Sequence, residues 1–175
     1  ARLIQQQVGG ELVIGQAASE DAFCSQAPGH KLVHLATHGF AGASTARWGR
    51  LSTLGAEQAY GASLDYLARK TGVVFAGANL GGNGKSDGIL RPLEVFQLDL
   101  RGTELVVLSA CQTALGQKTG SEGILGLRRA FRATGVRWLV LSLWKVDDQA
   151  TRALMVRFYG HYLAGLDPGQ ALRAA

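Results

Sequence analysis

The sequence predicts an α/β protein in which helices cover a mainly parallel sheet. Short apolar runs alternate with segments of helical periodicity through most of the chain, as they do where strands are joined by crossover helices. Residues 105–108 read Leu-Val-Val-Leu and residues 138–141 read Trp-Leu-Val-Leu. Such continuously apolar runs are typical of strands buried on both faces of a parallel sheet.

The predicted elements follow from apolar composition, periodicity and capping residues. The predicted strands are 11–15, 31–36, 72–78, 105–111 and 137–144. The predicted helices are 17–27, 93–98, 119–134 and a last long helix from 148. We expect Ser19 to cap the first of these helices, Thr119 the third, and Asp148 or its neighbour the last, because short polar side chains at these positions bond to free amides. Gly135 is expected to end the third helix. A long loop at 41–60 is typical of functional or mobile loops.

Length and composition indicate one globular domain that spans residues 1–175. The chain is 47% hydrophobic and 18% charged, and it has neither an 18-residue apolar run nor a signal-peptide pattern. Only two cysteines, Cys24 and Cys111, are present, so we expect a reduced, cytoplasmic setting. Because the chain starts without Met and ends in helical sequence, we also expect a C-terminal fragment of a longer protein.

Two other function classes have weak support in the sequence. Four arginines lie between 128 and 137, but arginines on the outer face of a helix are usually only solvated, although a basic patch can bind nucleic acid. Gly84-Lys85-Ser86 follows a predicted strand, yet Asn79 stands where a phosphate-binding loop requires glycine. The two cysteines lack zinc-site spacing. We therefore expect no nucleic acid, membrane, cofactor or metal.

The strongest candidates for chemistry stand where two apolar strands are predicted to end. Cys111 ends the run that begins at Leu105, and His38 follows the run 31–36. Because open α/β sheets bind ligands at the carboxyl edge of their strands, we expect the thiol and the imidazole to meet there. A cysteine beside an imidazole can act as a nucleophile with its base. The alternative is that Cys111 only packs, since free cysteine is often buried.

The same hypothesis assigns oxyanion binding to the backbone next to this pair and gives no catalytic role to His34 or Cys24. Gly39 allows backbone to approach a substrate closely, and the N–H groups of Gly39 and Cys111 are candidates for the two oxyanion donors. We interpret His34, inside the strand, as a core histidine whose hydrogen bonds are satisfied. Cys24, in a polar stretch before Pro28, is interpreted as an ordinary free thiol.

Four ordered motifs together resemble one known family. They are His34-Leu-Ala-Thr-His-Gly39, Leu108-Ser-Ala-Cys-Gln-Thr113, Glu122-Gly-Ile-x-x-Leu-x-x-Ala-Phe131 and Ser142-Leu-Trp-x-Val-Asp-Asp148. In this combination the chain resembles the CHAT domain, a domain often found after tetratricopeptide repeats, within the caspase, separase and gingipain group of cysteine peptidases. The resemblance covers 11–175.

The resemblance implies both a fold and an activity. The implied fold is a caspase-like three-layer α/β/α sandwich, and the implied activity is that of a cysteine endopeptidase working through a dyad. Cys111 falls on the family's nucleophile, which attacks the scissile carbonyl. His38 falls on the family's histidine, which protonates the leaving amine and activates water for deacylation.

Specificity and biological role are further expectations. The strand that contains Leu141 is expected to end beside the Cys111 strand, which would bring Asp147 to the cleft, where a carboxylate favours Arg or Lys at P1. The resemblance implies a protein substrate, control by an upstream repeat or sensor region, and roles in bacterial defence and programmed cell death. The alternative function is a catalytically idle CHAT module that acts as a protein-interaction scaffold.

Overall fold

The computed structural model describes residues 1–41, 71–80, 86–109, 111–112, 121–142 and 146–175, with backbone alone at 41, 111–112 and 121–124. The helices of this part are α1 (Arg2–Val8), α2 (Glu20–Gln26), α3 (Pro92–Val95), α4 (Ser121–Ala133), α5 (Asp148–Leu163) and α6 (Pro168–Ala174). The strands are β1 (Leu32–Leu35), β2 (His38–Ala41), β3 (Thr71–Val74), β4 (Ile89–Leu90), β5 (Leu105–Leu108), β6 (Cys111–Gln112) and β7 (Trp138–Leu141).

Three strands form a parallel sheet in the order β1-β5-β7. Both pairings are parallel, with Leu32 opposite Leu105 and Leu105 opposite Trp138. All four residues of β5 are buried, as expected for a central strand covered on both faces. The predictions of an α/β fold and of a central strand that begins at Leu105 are therefore confirmed, although the strand is shorter than predicted.

The remaining four strands form a mixed sheet in the order β4-β3-β2-β6. The pairing of β2 with β6 is parallel, whereas β3 pairs antiparallel with both β2 and β4. The sheet structure is thus less uniformly parallel than the sequence predicts. Apolar composition marks β3 as a strand but carries no information about its direction relative to β2.

The helices pack on both faces of the parallel sheet and form two hydrophobic clusters. Alternate residues of β5 point to opposite faces, as in any strand. Val106 and Leu108 lie in one cluster with Phe131 of α4. Leu105 and Val107 lie in the other. The second cluster is completed by residues of α1, α5 and α6, namely Ile4, Met155, Phe158, Tyr159 and Ala171.

Three helix ends agree with the sequence. Ser19 accepts a hydrogen bond from the Ala22 N–H and caps α2 as predicted, and Gly135 follows the end of α4 with φ of 99°. Of the two candidates for the cap of α5, the structure selects Asp147, because Asp147 Oδ1 accepts from the amides of Gln149 and Ala150.

Other boundaries also differ from the prediction. Residues 11–14 form no strand, and a 3-10 turn begins at Gly15, since no described strand pairs with them. Helix α3 starts at Pro92, which suits the first helical position because proline has no N–H to lose. Residues 42–60 of the predicted loop, the segment 81–85 and the expected cap at Thr119 lie outside the described residues.

Glu20 is a buried acidic residue that fixes the start of β4. Its side chain is 3% exposed, and Oε2 accepts hydrogen bonds from the Ser86 hydroxyl and the Gly88 N–H at 2.9 Å each. The Gly88 carbonyl in turn accepts from the Phe75 N–H at 2.7 Å. Glu20 therefore joins helix α2 to the segment that leads into β4.

Replacing Glu20 by Ala should lower the free energy of unfolding by about 1–3 kcal/mol, because the Gly88 N–H is left buried without an acceptor. Urea unfolding followed by circular dichroism measures this change. The matched control is Glu20→Gln, which keeps an acceptor oxygen and should lose less than half as much. Equal losses in the two variants would contradict the assigned role.

Candidate active site

One continuous register relates the two strand pairs on which the candidate residues lie. Leu32 stands opposite Leu105 and Leu35 opposite Leu108 in the parallel sheet. After a short interruption, His38 stands opposite Cys111 and Gly39 opposite Gln112 in the mixed sheet. The Ser109 N–H donates to the Leu35 carbonyl at 2.9 Å, which carries the pairing into the interruption. The sequence separation of paired residues stays the same throughout, so no bulge shifts the register.

The two candidate residues lie at different places within their strands than the sequence predicts. The sequence predicts that Cys111 ends the central strand, but β5 ends at Leu108 and Cys111 begins β6. His38 likewise begins a new strand, β2, after β1 has ended at Leu35. Both residues therefore lie just beyond the carboxyl ends of paired parallel strands, each as the first residue of a new strand. The position of the Cys111 thiol lies outside the described part.

Thr37 fixes the backbone next to His38. Its hydroxyl donates to the carbonyl of Val74, and Val74 is the residue that stands opposite His38 on β3. The His38 side chain is exposed, whereas Gly39 is buried. His38 thus combines an anchored backbone with an imidazole that solvent or a ligand can reach. The sequence analysis assigned no role to Thr37. The only feature of the sequence that could have indicated this role is a hydroxyl side chain next to the histidine.

Asp147 lies on the segment that follows β7. Because β7 runs parallel to β5, with Leu141 opposite Leu108, the chain after Leu141 leaves at the same edge as the chain towards Cys111. Asp147 is exposed. Its Oδ1 atom accepts both capping bonds at 3.0 and 2.9 Å, and Oδ2 takes part in neither.

His34 is a core histidine, but only one of its ring nitrogens has a partner. Nδ1 lies 2.8 Å from the Tyr159 hydroxyl, whereas Nε2 is buried without a hydrogen-bond partner in the described part. Burial, and secondarily the positive charge of the amino terminus, lower the pKa of His34 to about 4. Burial also raises the pKa of Tyr159. The prediction of a fully satisfied histidine is therefore only half right.

Cys24 has surroundings that suppress thiolate chemistry. It is half-buried on α2 as a free cysteine. Burial, followed by the negative charges of Glu20 and Glu94, raises its pKa to about 11. Since the thiolate is the reactive form, this thiol stays protonated near neutral pH, in agreement with its interpretation as an unreactive cysteine.

Neither a metal cluster nor a membrane helix is found where the structure describes the chain. No three His, Cys, Asp or Glu side chains of this part come close enough together to hold a metal ion. None of its helices combines the length and apolar character needed to cross a bilayer.

The site is thus defined by a histidine and a cysteine that stand opposite each other on neighbouring parallel strands of an α/β domain. The family model of the CHAT domain matches residues 1–175. The chain belongs to the CHAT domain family, which lies in the caspase-like group of cysteine peptidases.

Two curated relatives carry tetratricopeptide repeats in their names. Tetratricopeptide repeat protein 28 of Mus musculus is 39% identical over 79 residues, which are 45% of this chain and 3% of that protein. The Homo sapiens protein of the same name is 34% identical over 87 residues, 50% of this chain and 3% of the relative. The matched part of this chain thus spans a small fraction of both relatives. No solved structure matches the chain.

The lowered pKa of His34 predicts a specific loss of stability in acid. The unfolded chain takes up a proton near the ordinary pKa of 6.5, whereas the folded protein resists protonation until about pH 4. Folding stability should therefore fall as the pH drops from 6.5 towards 4, by roughly 3 kcal/mol from this residue. Urea unfolding at pH 7.0 and pH 4.5 measures the loss.

The variant His34→Gln has no titratable group and should remove most of this pH dependence. His30→Gln is the matched control, because His30 is exposed and should leave the dependence unchanged. If His34→Gln and the parent protein lose stability equally on acidification, buried His34 is not its source.

Proposed function

We propose that the chain is a cysteine endopeptidase domain with a caspase-like α/β/α arrangement, in which Cys111 is the nucleophile and His38 the proton-transfer group. The observation that carries the proposal is the register that sets His38 opposite Cys111. Neighbouring strands lie about 4.8 Å apart, and paired residues share a face of the sheet. That separation suits a thiol–imidazole pair, which needs heavy atoms within a few ångströms of each other.

The exposed position of His38 supports the same proposal. A group that donates a proton to a leaving amine must be reachable by a peptide, and the His38 imidazole is exposed. The bond from Thr37 to Val74 holds the adjacent backbone, so the ring moves about a fixed Cα. His34 is unsuitable for this role because it is buried and stays neutral.

The proposed reaction has two steps with a thioester intermediate. The Cys111 thiolate attacks the scissile carbonyl carbon, the C–N bond breaks, and His38 gives a proton to the departing amine. Water then attacks the thioester while His38 takes one of its protons, and the carboxylate product leaves with the Cys111 thiolate restored.

The oxyanion of each tetrahedral intermediate is proposed to bind the N–H groups of Gly39 and Cys111. In the described residues the ladder between β2 and β6 pairs His38 with Cys111 and Gly39 with Gln112, so the two amides lie on neighbouring strands. An N–H at the end of a ladder can turn to a ligand, and removing one oxyanion donor typically costs 10²–10³ in rate. The buried backbone of Gly39, which has no side chain, allows the substrate carbonyl to come close.

The proposed setting of the domain is a cytoplasmic protein in which an upstream repeat region controls cleavage of a protein partner. The support is the name shared by the two relatives, Tetratricopeptide repeat protein 28, of which the matched region is 3%. Both relatives are mammalian, so a role in bacterial defence or programmed cell death has no support beyond the original resemblance.

Asp147 is proposed as the residue that favours Arg or Lys at P1. The supporting observations are that β7 ends at the edge where the chain runs towards Cys111, that Asp147 follows Leu141 by six residues, and that its carboxylate is exposed. Capping occupies only Oδ1. Oδ2 can therefore accept from a substrate guanidinium or ammonium without loss of the cap.

The thiol of Cys111 should react faster than an ordinary cysteine if it is paired with His38. In a Cys24→Ser background, alkylation of Cys111 by iodoacetamide at pH 7 should be about tenfold faster than that of free cysteine, because an imidazole raises the thiolate fraction. The additional substitution His38→Ala should reduce the alkylation rate of Cys111 to that of free cysteine. Mass spectrometry of the labelled peptide measures this rate. A rate equal to that of free cysteine in both proteins would favour the idle scaffold module.

Substitution of Asp147 by Asn tests the preference at P1. Fluorogenic peptides with Arg at P1 should lose about 10–100-fold in kcat/KM, the value of a charge-assisted hydrogen bond, while peptides with neutral P1 residues change little. Asparagine still caps helices well, so folding is preserved. Asp148→Asn is the matched control and should cleave both peptides normally. If the Asp147→Asn protein also cleaves both peptides normally, another residue determines the preference at P1.

A further inference from the structure

Helix α4 carries three exposed arginines, Arg128, Arg129 and Arg132. Leu127 and Phe131, on the other face of the helix, are buried. Residues three or four positions apart are neighbours on a helix, so Arg132 lies next to both other arginines, and such like-charge pairs destabilise a helix. In the described part of the chain no acidic side chain forms an ion pair with any of the three. The repulsion within this helix face is therefore not offset.

Two further arginines extend this positive charge beyond the end of the helix. The Arg132 guanidinium donates to the carbonyl of Arg137, and Arg137 is exposed. Arg101 lies against the turn between α4 and β7, because a Cβ atom at Gly135 would stand only 3.1 Å from Arg101 Cγ. The Arg101 side chain is 83% exposed. We call these five residues the arginine surface: Arg101, Arg128, Arg129, Arg132 and Arg137.

Asp99 is the acidic residue that the described structure pairs with the arginine surface. Its carboxylate accepts from Nε of Arg101 at 2.8 Å and also from Nη2, which holds that guanidinium in place. The other four guanidinium groups have no carboxylate partner among the described residues. Places where a sequence accepts such a local conflict are typically functional. The arginine surface therefore indicates a negatively charged partner.

The arginine surface lies at the end of the parallel sheet opposite to the candidate active site. The Arg137 N–H donates to the Thr103 carbonyl at 3.3 Å, just before β7 and β5 begin. His38 and Cys111 lie beyond the carboxyl ends of β1 and β5. Strand β5 is four residues long, which corresponds to about 13 Å. A partner can thus occupy the arginine surface while the active site stays open.

The chemistry of the arginine surface favours an acidic polypeptide over a nucleic acid. Carboxylates form bidentate pairs with guanidinium groups, as Asp99 does with Arg101. A peptide can place a neutral residue opposite Asp99, whereas every nucleotide brings a phosphate that this carboxylate repels. Trp138, the exposed aromatic residue next to Arg137, is not placed to stack bases here. It stands opposite Leu105, whose side chain lies on the sheet face away from α4.

We propose that the arginine surface binds an acidic segment of a partner protein. Carboxylates of that segment pair with the four guanidinium groups that Asp99 does not neutralise. Because these groups are exposed, the complex is weakened by salt. This assignment goes beyond the proposed function and does not depend on peptide cleavage.

Fluorescence anisotropy with an acidic peptide tests the proposal. The probe is fluorescein-labelled Glu-Asp-Glu-Gly-Glu-Asp-Glu, which should bind the protein about tenfold more weakly in about 200 mM salt than in about 50 mM salt, because exposed charges are screened. The triple variant Arg128→Gln, Arg129→Gln, Arg137→Gln should weaken binding at low salt by about tenfold, since each exposed ion pair contributes a small factor. None of these three side chains donates a hydrogen bond in the described part, so the fold should be kept, as circular dichroism can verify.

The matched control is the triple variant Arg152→Gln, Arg157→Gln, Arg173→Gln. It removes the same charge from exposed positions on α5 and α6 and should change the affinity by less than about twofold. Equal weakening in the two variants would overturn the proposal, because the attraction would then arise from the net positive charge alone. Absence of binding to the parent protein would overturn it as well. Tighter binding of a single-stranded oligonucleotide of about 12 nucleotides than of the peptide, at about 150 mM salt, would identify a nucleic-acid ligand instead.

Discussion

The parallel register between the β1–β2 and β5–β6 segments is the constraint on which the proposed site depends. Because side chains alternate between faces, a slip of one residue would move Cys111 to the opposite face from His38. The register is secured by β5, whose residues Leu105 to Leu108 are all at most 4% exposed. A slip of one residue would bring polar Glu104 or Ser109 into the buried ladder in place of one of these apolar side chains. The core thus sets the geometry of two polar residues that lie beyond it.

The same framework gives two histidines of similar sequence context opposite properties. His34 lies over the parallel sheet against Tyr159, and burial holds its pKa near 4. His38 is four residues later, past the end of the sheet, and is exposed. The difference arises from packing, since only the first position is covered by helix α5. The covered imidazole stays neutral near neutral pH, while the exposed one is accessible to a ligand.

Local sequence patterns predicted the central strand, the cap at Ser19 and the approach of the His38 and Cys111 chain segments, because burial and capping have strong local signatures. The sequence could not predict the antiparallel direction of β3, the end of β5 at Leu108, or which of Asp147 and Asp148 caps α5. These features depend on contacts between distant segments. The segment 11–15 has the composition of a strand. A strand also requires a partner strand to hydrogen-bond with, and composition does not show whether a partner is present.

Glu20 has a consequence for how this domain can vary. Since its carboxylate holds Ser86 and Gly88 directly, helix α2 itself sets the position of β4, which is an edge strand of the mixed sheet. A displacement of helix α2 would therefore carry this edge strand with it, and we expect the two elements to shift together wherever related domains keep the same carboxylate.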